Sequence, residues 1–188
     1  MGYVRTVDNG DEPISVKQMQ EHLRIDSDTD INTVNDMLKV ARQYIEEYTN
    51  LALSAQTYKL ELDEFPSGEI ELYYGPVQAI TSIKYYDTSD VQQTLDSSLY
   101  RTDLTSKKAR IQSTDSWPST KSRVNAVEVI FTTGYQTPDS VPSPIKGAIK
   151  LLVSHFYENR QEEVIMQGGS LTSLEFGYKN LIAPYKIW

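Results

Sequence analysis

The stretch "DINTVNDMLKVARQYIEEYTNLALSAQTYKLELDEF", residues 30–65, holds two hydrophobic periods. In its first half Ile31, Val34, Leu38, Ala41, Ile45 and Tyr48 recur every three or four residues, which predicts a helix of about five turns. Asp28 or Thr29 is placed to cap that helix, and Asp30 suits the positive end of its dipole. From about Ala55 the period drops to two. Tyr58, Leu60 and Leu62 then fall on one side of a strand. A helical segment gives way here to a β segment.

Working outward confirms both halves. Upstream, in "SVKQMQEHLRI", residues 15–25, Ser15 and Gln18 have the spacing of a capping box, in which each side chain satisfies a free amide at the helix start. Val16, Met19, Gln20 and Leu23 give this short helix one apolar face, and "DSDTD", residues 26–30, interrupts it with turn-forming residues. Downstream, Ile70, Leu72 and Tyr74 alternate in "EIELYY". "AITSIKYYD" and "VQQTL" flank "DTSD", a hairpin turn, and further short strands fit "LYRTDL", "ARIQ" and "AVEVIFTTGY". Pro66, Gly68, Gly75 and Pro76 punctuate the run.

Helix returns in "TPDSVPSPIKGAIKLLVSHFYENR", residues 137–160. Ser143 is a natural cap, with Pro144 at the first helical position, where a missing amide costs nothing. Ile145, Ala148, Ile149, Leu152, Val153 and Phe156 form the buried stripe. "MQGGS", residues 166–170, ends the pattern. The order predicts an α+β fold. Two N-terminal helices (1–54) and a long C-terminal helix (137–167) make a helical core, with an antiparallel β subdomain (55–136) inserted and an extended C-terminal arm (168–188).

Composition narrows the function. The 188-residue chain has no cysteine, which excludes disulfides, thiol catalysis and cysteine-ligated metal centres. The first residues lack the basic and apolar regions of a signal peptide, and no apolar run is long enough for a transmembrane helix. A soluble product made in a cytoplasm, with no membrane partner, is expected. The formal charge of -8 removes any overall field that would grip nucleic acid, although such a chain can still surround DNA without holding it. Apolar residues make up only 39%, and there are thirteen Tyr against four Phe. Tyr covers apolar surface while keeping a polar tip, which suits burial in partners.

The search for chemistry is negative. His155 and Glu158 lie one turn apart, but the chain's only other histidine, His22, sits in a different segment, so no paired-histidine metal motif exists. His155 reads as a packed or half-exposed residue at the edge of the stripe, and Glu158 and Arg160 as surface charges at the helix C-terminus or inter-subunit charges. "DSDTD" resembles the start of a calcium loop but lacks its central Gly, and Met37 stands where the bidentate Glu is needed. "SKKAR", residues 106–110, reads as a solvated turn. No GxSxG elbow or phosphate-binding loop occurs. No pair of carboxylates is marked out as hydrolytic. No enzyme activity, cofactor or metal is expected.

Three motifs carry a family resemblance. "SVKQMQEHLRID" followed by "DINTVNDMLKVARQYIEEYTNLAL", then "VPSPIKGAIKLLVSHFYENRQE", then "GYKNLIAPYKIW" resemble, in order and spacing, the head-to-tail connector (adaptor) proteins of tailed bacteriophages. Lys186 stands where that family often has Arg, and Ile182 where it often has Leu. The resemblance implies a structural protein of the virion neck. Its subunits form a ring, usually dodecameric, beneath the portal protein. The ring extends the DNA channel and receives a stopper or tail-completion protein, and DNA passes without sequence-specific binding. The apolar terminus is read as the docking element for the portal or a neighbouring subunit, through Tyr178, Leu181, Ile182, Pro184, Tyr185, Lys186, Ile187 and Trp188. The alternative is a surface-binding β module for carbohydrate or a host surface. It requires exposed aromatics clustered on one sheet face, with Tyr73, Tyr74, Tyr85 and Tyr86 as candidates.

Overall fold

The computed structural model describes residues 2–8, 11–25, 30–159 and 172–188. They form an α+β chain that divides into two compact units, one of helices and one of strands.

The helical unit contains α1 (Val16–Leu23), α2 (Ile31–Thr49), α3 (Ser143–Glu158) and α4 (Thr172–Ile182). The Ser15–Gln18 capping box forms in full: the Ser15 hydroxyl accepts from the Gln18 amide at 3.2 Å, and the Gln18 side chain accepts from the Ser15 amide at 3.1 Å. Val34, Leu38, Ala41 and Ile45 of α2 are buried, as are Ile145, Ala148, Ile149, Leu152 and Val153 of α3. Their three- and four-residue spacing turns one side of each helix into the core. Ile31, expected on the stripe, is 36% exposed at the start of α2. The caps proposed at Asp28 and Thr29 lie outside the described residues. Asp30 makes no cap bond; its carboxylate instead accepts from the Tyr157 hydroxyl at 2.7 Å. Ser143 is the first residue of α3 and not its cap.

Among the aliphatics of this core lies an ion network. Arg42, 4% exposed, donates through Nε to both carboxylate oxygens of Glu12 at 3.1 and 3.0 Å, and through Nη1 to Glu46 Oε2 at 3.1 Å. Glu46, 2% exposed, accepts the Leu53 backbone amide at 2.8 Å through its other oxygen. Every carboxylate oxygen therefore has a donor, which is the condition for keeping charges inside a fold.

The sheet unit has a five-stranded antiparallel sheet in the order β1-β2-β8-β4-β5 and a three-stranded one in the order β3-β7-β6. The strands are β1 (Gly2–Asp8), β2 (Gln56–Leu62), β3 (Ile70–Leu72), β4 (Val77–Tyr86), β5 (Gln92–Thr94), β6 (Tyr100–Asp103), β7 (Ala109–Ser113) and β8 (Val127–Thr133). The period of two sets the register: Tyr58 faces Phe131 and Leu60 faces Val129, and all four are buried. Ile70, Leu72, Ile83 and Ile111 complete the core. At the "DTSD" hairpin the Asp87 carboxylate accepts the amides of Ser89 (2.9 Å) and Val91 (3.1 Å) and the Gln93 side chain (2.8 Å). These bonds, that from Gln93 foremost, hold its carboxyl below the ordinary range.

Two expectations need correction. Residues 2–8, placed by the sequence with the helical part (1–54), form β1 and pair with β2. Tyr3 fastens this strand: its hydroxyl donates to the Glu71 carbonyl at 3.0 Å and accepts from the Tyr73 amide at 3.2 Å. Burial pushes the Tyr3 phenol well above its ordinary pKa. The second correction concerns the arm. Residues 172–182 are helical, and Ala183–Tyr185 add a 3-10 turn, so the extended part shrinks to the last three residues. Pro184 does limit the α-helix, but it sits at the start of the tighter turn, where its missing amide is tolerated.

Candidate docking surface

The residues expected to dock divide by burial. Tyr178 (6% exposed), Ile182 (0%) and Ile187 (2%) are buried within this chain. Tyr178 and Ile182 stand four residues apart on α4, so both fall on one face of that helix. Ile187 belongs to the sheet unit, where a Cβ on Gly75 would stand 3.1 Å from its Cδ1; glycine leaves the room that Ile187 fills. Leu181, Tyr185 and Lys186 are half-buried, while Pro184 and Trp188 are exposed. Trp188 is 80% exposed, the most of any large apolar side chain among the described residues. Removing residues 178–188 would thus strip packing as well as a surface.

What remains outside is a cation–aromatic stack. The Lys186 ammonium lies 4.6 Å from the Tyr48 ring centroid and 4.4 Å from that of Trp188. Both distances are within the range where a ring face attracts a cation, at about 0.5–1 kcal/mol per exposed contact. Tyr44, 41% exposed, lies one turn before Tyr48 on α2; its ring meets Tyr178 edge-on at 5.9 Å, and the two hydroxyls are 3.0 Å apart. Val40, 52% exposed, lies one turn earlier again. No local pattern marks α2 as part of this surface, because Tyr44 falls off the helix's apolar stripe.

The other candidates resolve differently. Glu158 is exposed at the end of α3, and Arg160 lies outside the described residues. His155 is half-buried; its Nδ1 is 3.1 Å from the Asn159 side-chain amide, and its ring packs beside Phe156 at 6.2 Å. Among the described residues no three metal-ligating side chains come together, and no helix is long and apolar enough to cross a membrane.

The four tyrosines required by a surface-binding β module are half-buried and engaged. Tyr74 stacks on Tyr58 at 4.4 Å and Tyr85 packs on Phe65 at 5.7 Å. Tyr73 and Tyr86 lie under Lys108 (4.8 Å) and Arg123 (3.8 Å). They form no open aromatic platform. The "SKKAR" cations are likewise occupied: Lys108 pairs with Glu71 at 3.0 Å and Arg110 with Asp103 at 3.1 Å.

No curated protein matches the chain. Among solved structures it is similar to a chain from the neck of an empty gene transfer agent (GTA) particle computed with C6 symmetry. The TM-score is 0.83 at 20% identity, covering 100% of this chain and 96% of that one. A chain from the virion of a native gene transfer agent particle gives 0.81 at 20% identity, with the same coverage. One from the neck of a native GTA particle computed with C12 symmetry gives 0.77 at 21%, again with the same coverage. At these identities the likeness is one of fold. The model of one protein family, the head completion proteins, matches residues 12–185. That span takes in the capped α1, the α2 helix, the whole run from β2 to β8, and α3 and α4. The chain therefore belongs to the head completion protein family and is a structural connector at the head-to-tail junction of a virion, not an enzyme.

Proposed function

We propose that copies of this protein form a ring in the virion neck, a dodecamer, that seats beneath the portal protein, extends the DNA channel and receives the stopper or tail-completion protein on its other side. The observation that carries this reading is the family match over residues 12–185. Likeness along the full chain to components of particle necks computed with C6 and C12 symmetry supports it. The helical unit serves as the connector core, the sheet unit, β1 included, is the inserted subdomain, and the segment from α4 to Trp188 carries the docking element. Leu181, Pro184, Tyr185, Lys186 and Trp188 present that element outward; Tyr178, Ile182 and Ile187 hold it in place. The net charge of -8 suits a channel through which DNA slides, because acidic walls repel phosphates and release no counterions to trap them.

A ring that closed early would compete with DNA packaging, so assembly is templated by the portal. The free protein is expected to have the mass of one subunit at micromolar concentration, with rings only when concentrated. Light scattering over a concentration series checks this. A tight two-fold dimer that persists on dilution would contradict the ring, since a closed isologous contact leaves no matching surface for a third copy.

A further inference from the structure

We propose that Tyr48, Lys186 and Trp188 form a preorganised receptor for a carboxylate-bearing, apolar segment of a partner protein. This deepens the docking role proposed above and rests on it. Three observations support it. First, the Trp188 indole is 80% exposed yet is not left loose: the Lys186 ammonium sits between it, at 4.4 Å, and the Tyr48 ring, at 4.6 Å. A large aromatic held in its contact position has less conformational freedom to lose on binding than a free one, which is how interface anchors gain affinity. Lys186 thus acts as a positioning residue for Trp188.

Second, Lys186 has no carboxylate partner among the described residues. In the sheet unit, by contrast, Arg5, Lys59, Lys108, Arg110 and Arg123 each lie within 4.0 Å of an acid. An ammonium flanked by two rings, on a chain of net charge -8, presents an isolated positive point to whatever approaches Trp188. The complementary group is a carboxylate. Third, Tyr44 (41% exposed) and Val40 (52%) continue the apolar surface along α2, one and two turns before Tyr48. An acidic side chain beside an apolar one therefore fits, with the acid on Lys186 and the apolar group on the α2 flank. DNA phosphate fits poorly, because one cation on an acidic protein supplies too little counterion release.

The test uses the full chain and DNA-filled heads that lack it. Binding to the heads is measured by sedimentation at low and high salt for wild type, Lys186→Met, Lys186→Arg and Trp188→Ala. Lys186→Met keeps the apolar stem and Lys186→Arg keeps the charge on the rings. Lys186→Met and Trp188→Ala are each expected to weaken binding roughly tenfold or more, and Lys186→Arg to stay near wild type. Salt should weaken wild type more steeply than Lys186→Met. Equal binding by Lys186→Met and wild type would overturn the inference while leaving the docking role standing. So would competition for wild type, but not for Lys186→Met, by duplex DNA, or a crosslink from position 188 to a second copy of this chain. Wild type that fails to bind the heads at all would remove both the inference and the function on which it rests.

Discussion

Replacing Arg42 with alanine is expected to destabilise the protein by about 3–5 kcal/mol, the range for breaking a buried ion pair by deleting one member. The cause is what remains behind. Without the guanidinium, Glu46 (2% exposed) loses its charged partner while keeping the Leu53 amide at 2.8 Å, and Glu12 loses both of its bonds to Arg42. A carboxylate left in an apolar core must either stay charged at high cost or take up a proton. Replacing Arg42 and Glu46 together with Met and Leu should recover part of the loss, since the deepest charge goes and the Glu12 carboxylate, 20% exposed, can turn to water. The recovery stays incomplete, because the Leu53 amide loses its acceptor, at about 1–3 kcal/mol. Urea unfolding of the two variants checks the pair of values. An Arg42→Ala loss below about 1 kcal/mol would show the network to be dispensable.

The second large effect is expected at Gly134, which follows β8. Its φ is +98°, a backbone state that side chains disfavour, and its surroundings close the site further. A Cβ there would stand 1.8 Å from the Ser54 carbonyl oxygen and 2.6 Å from its carbon. Both are backbone atoms, so no rotamer change can relieve the clash. Gly134 is also tied on both sides, its amide donating to the Pro76 carbonyl and its carbonyl accepting from the Gln78 side chain, each at 2.9 Å. Gly134→Ala should therefore cost at least about 3 kcal/mol, seen as a lower urea midpoint with an unchanged slope. A variant with wild-type stability would mean that the chain can move away from Ser54, against the close approach described here.

Local patterns explain how much of this fold was legible in sequence. The Ser15–Gln18 box, the α2 stripe and the alternation in β2 and β8 each depend on residues near one another in the chain, and each appears where the residues predict it. β1 did not, because seven residues say little alone and the partner strand lies some fifty positions away. The α4 helix was not legible, because Pro184 limits helix only near the chain's end and says nothing of the eleven residues before the turn it starts. Arg42 and Glu46 have the four-residue spacing of a surface pair, and their neighbours Ala41 and Ile45 sit on the buried stripe. That adjacency was the available signal for a buried network; Glu12, which completes it, lies thirty residues away. The docking surface was legible only as an apolar terminus. Which of its residues turn inward depends on Gly75 and on the packing of α4, and neither is encoded locally.

The central claim, a connector ring at the head-to-tail junction, is tested most directly by electron cryomicroscopy of the assembled particle neck, without imposed symmetry. The account predicts twelve copies of this chain around the DNA channel between portal and tail, with Trp188 of each copy facing another protein. Density for this chain on the outer surface of the head or tail, with none around the channel, would contradict it.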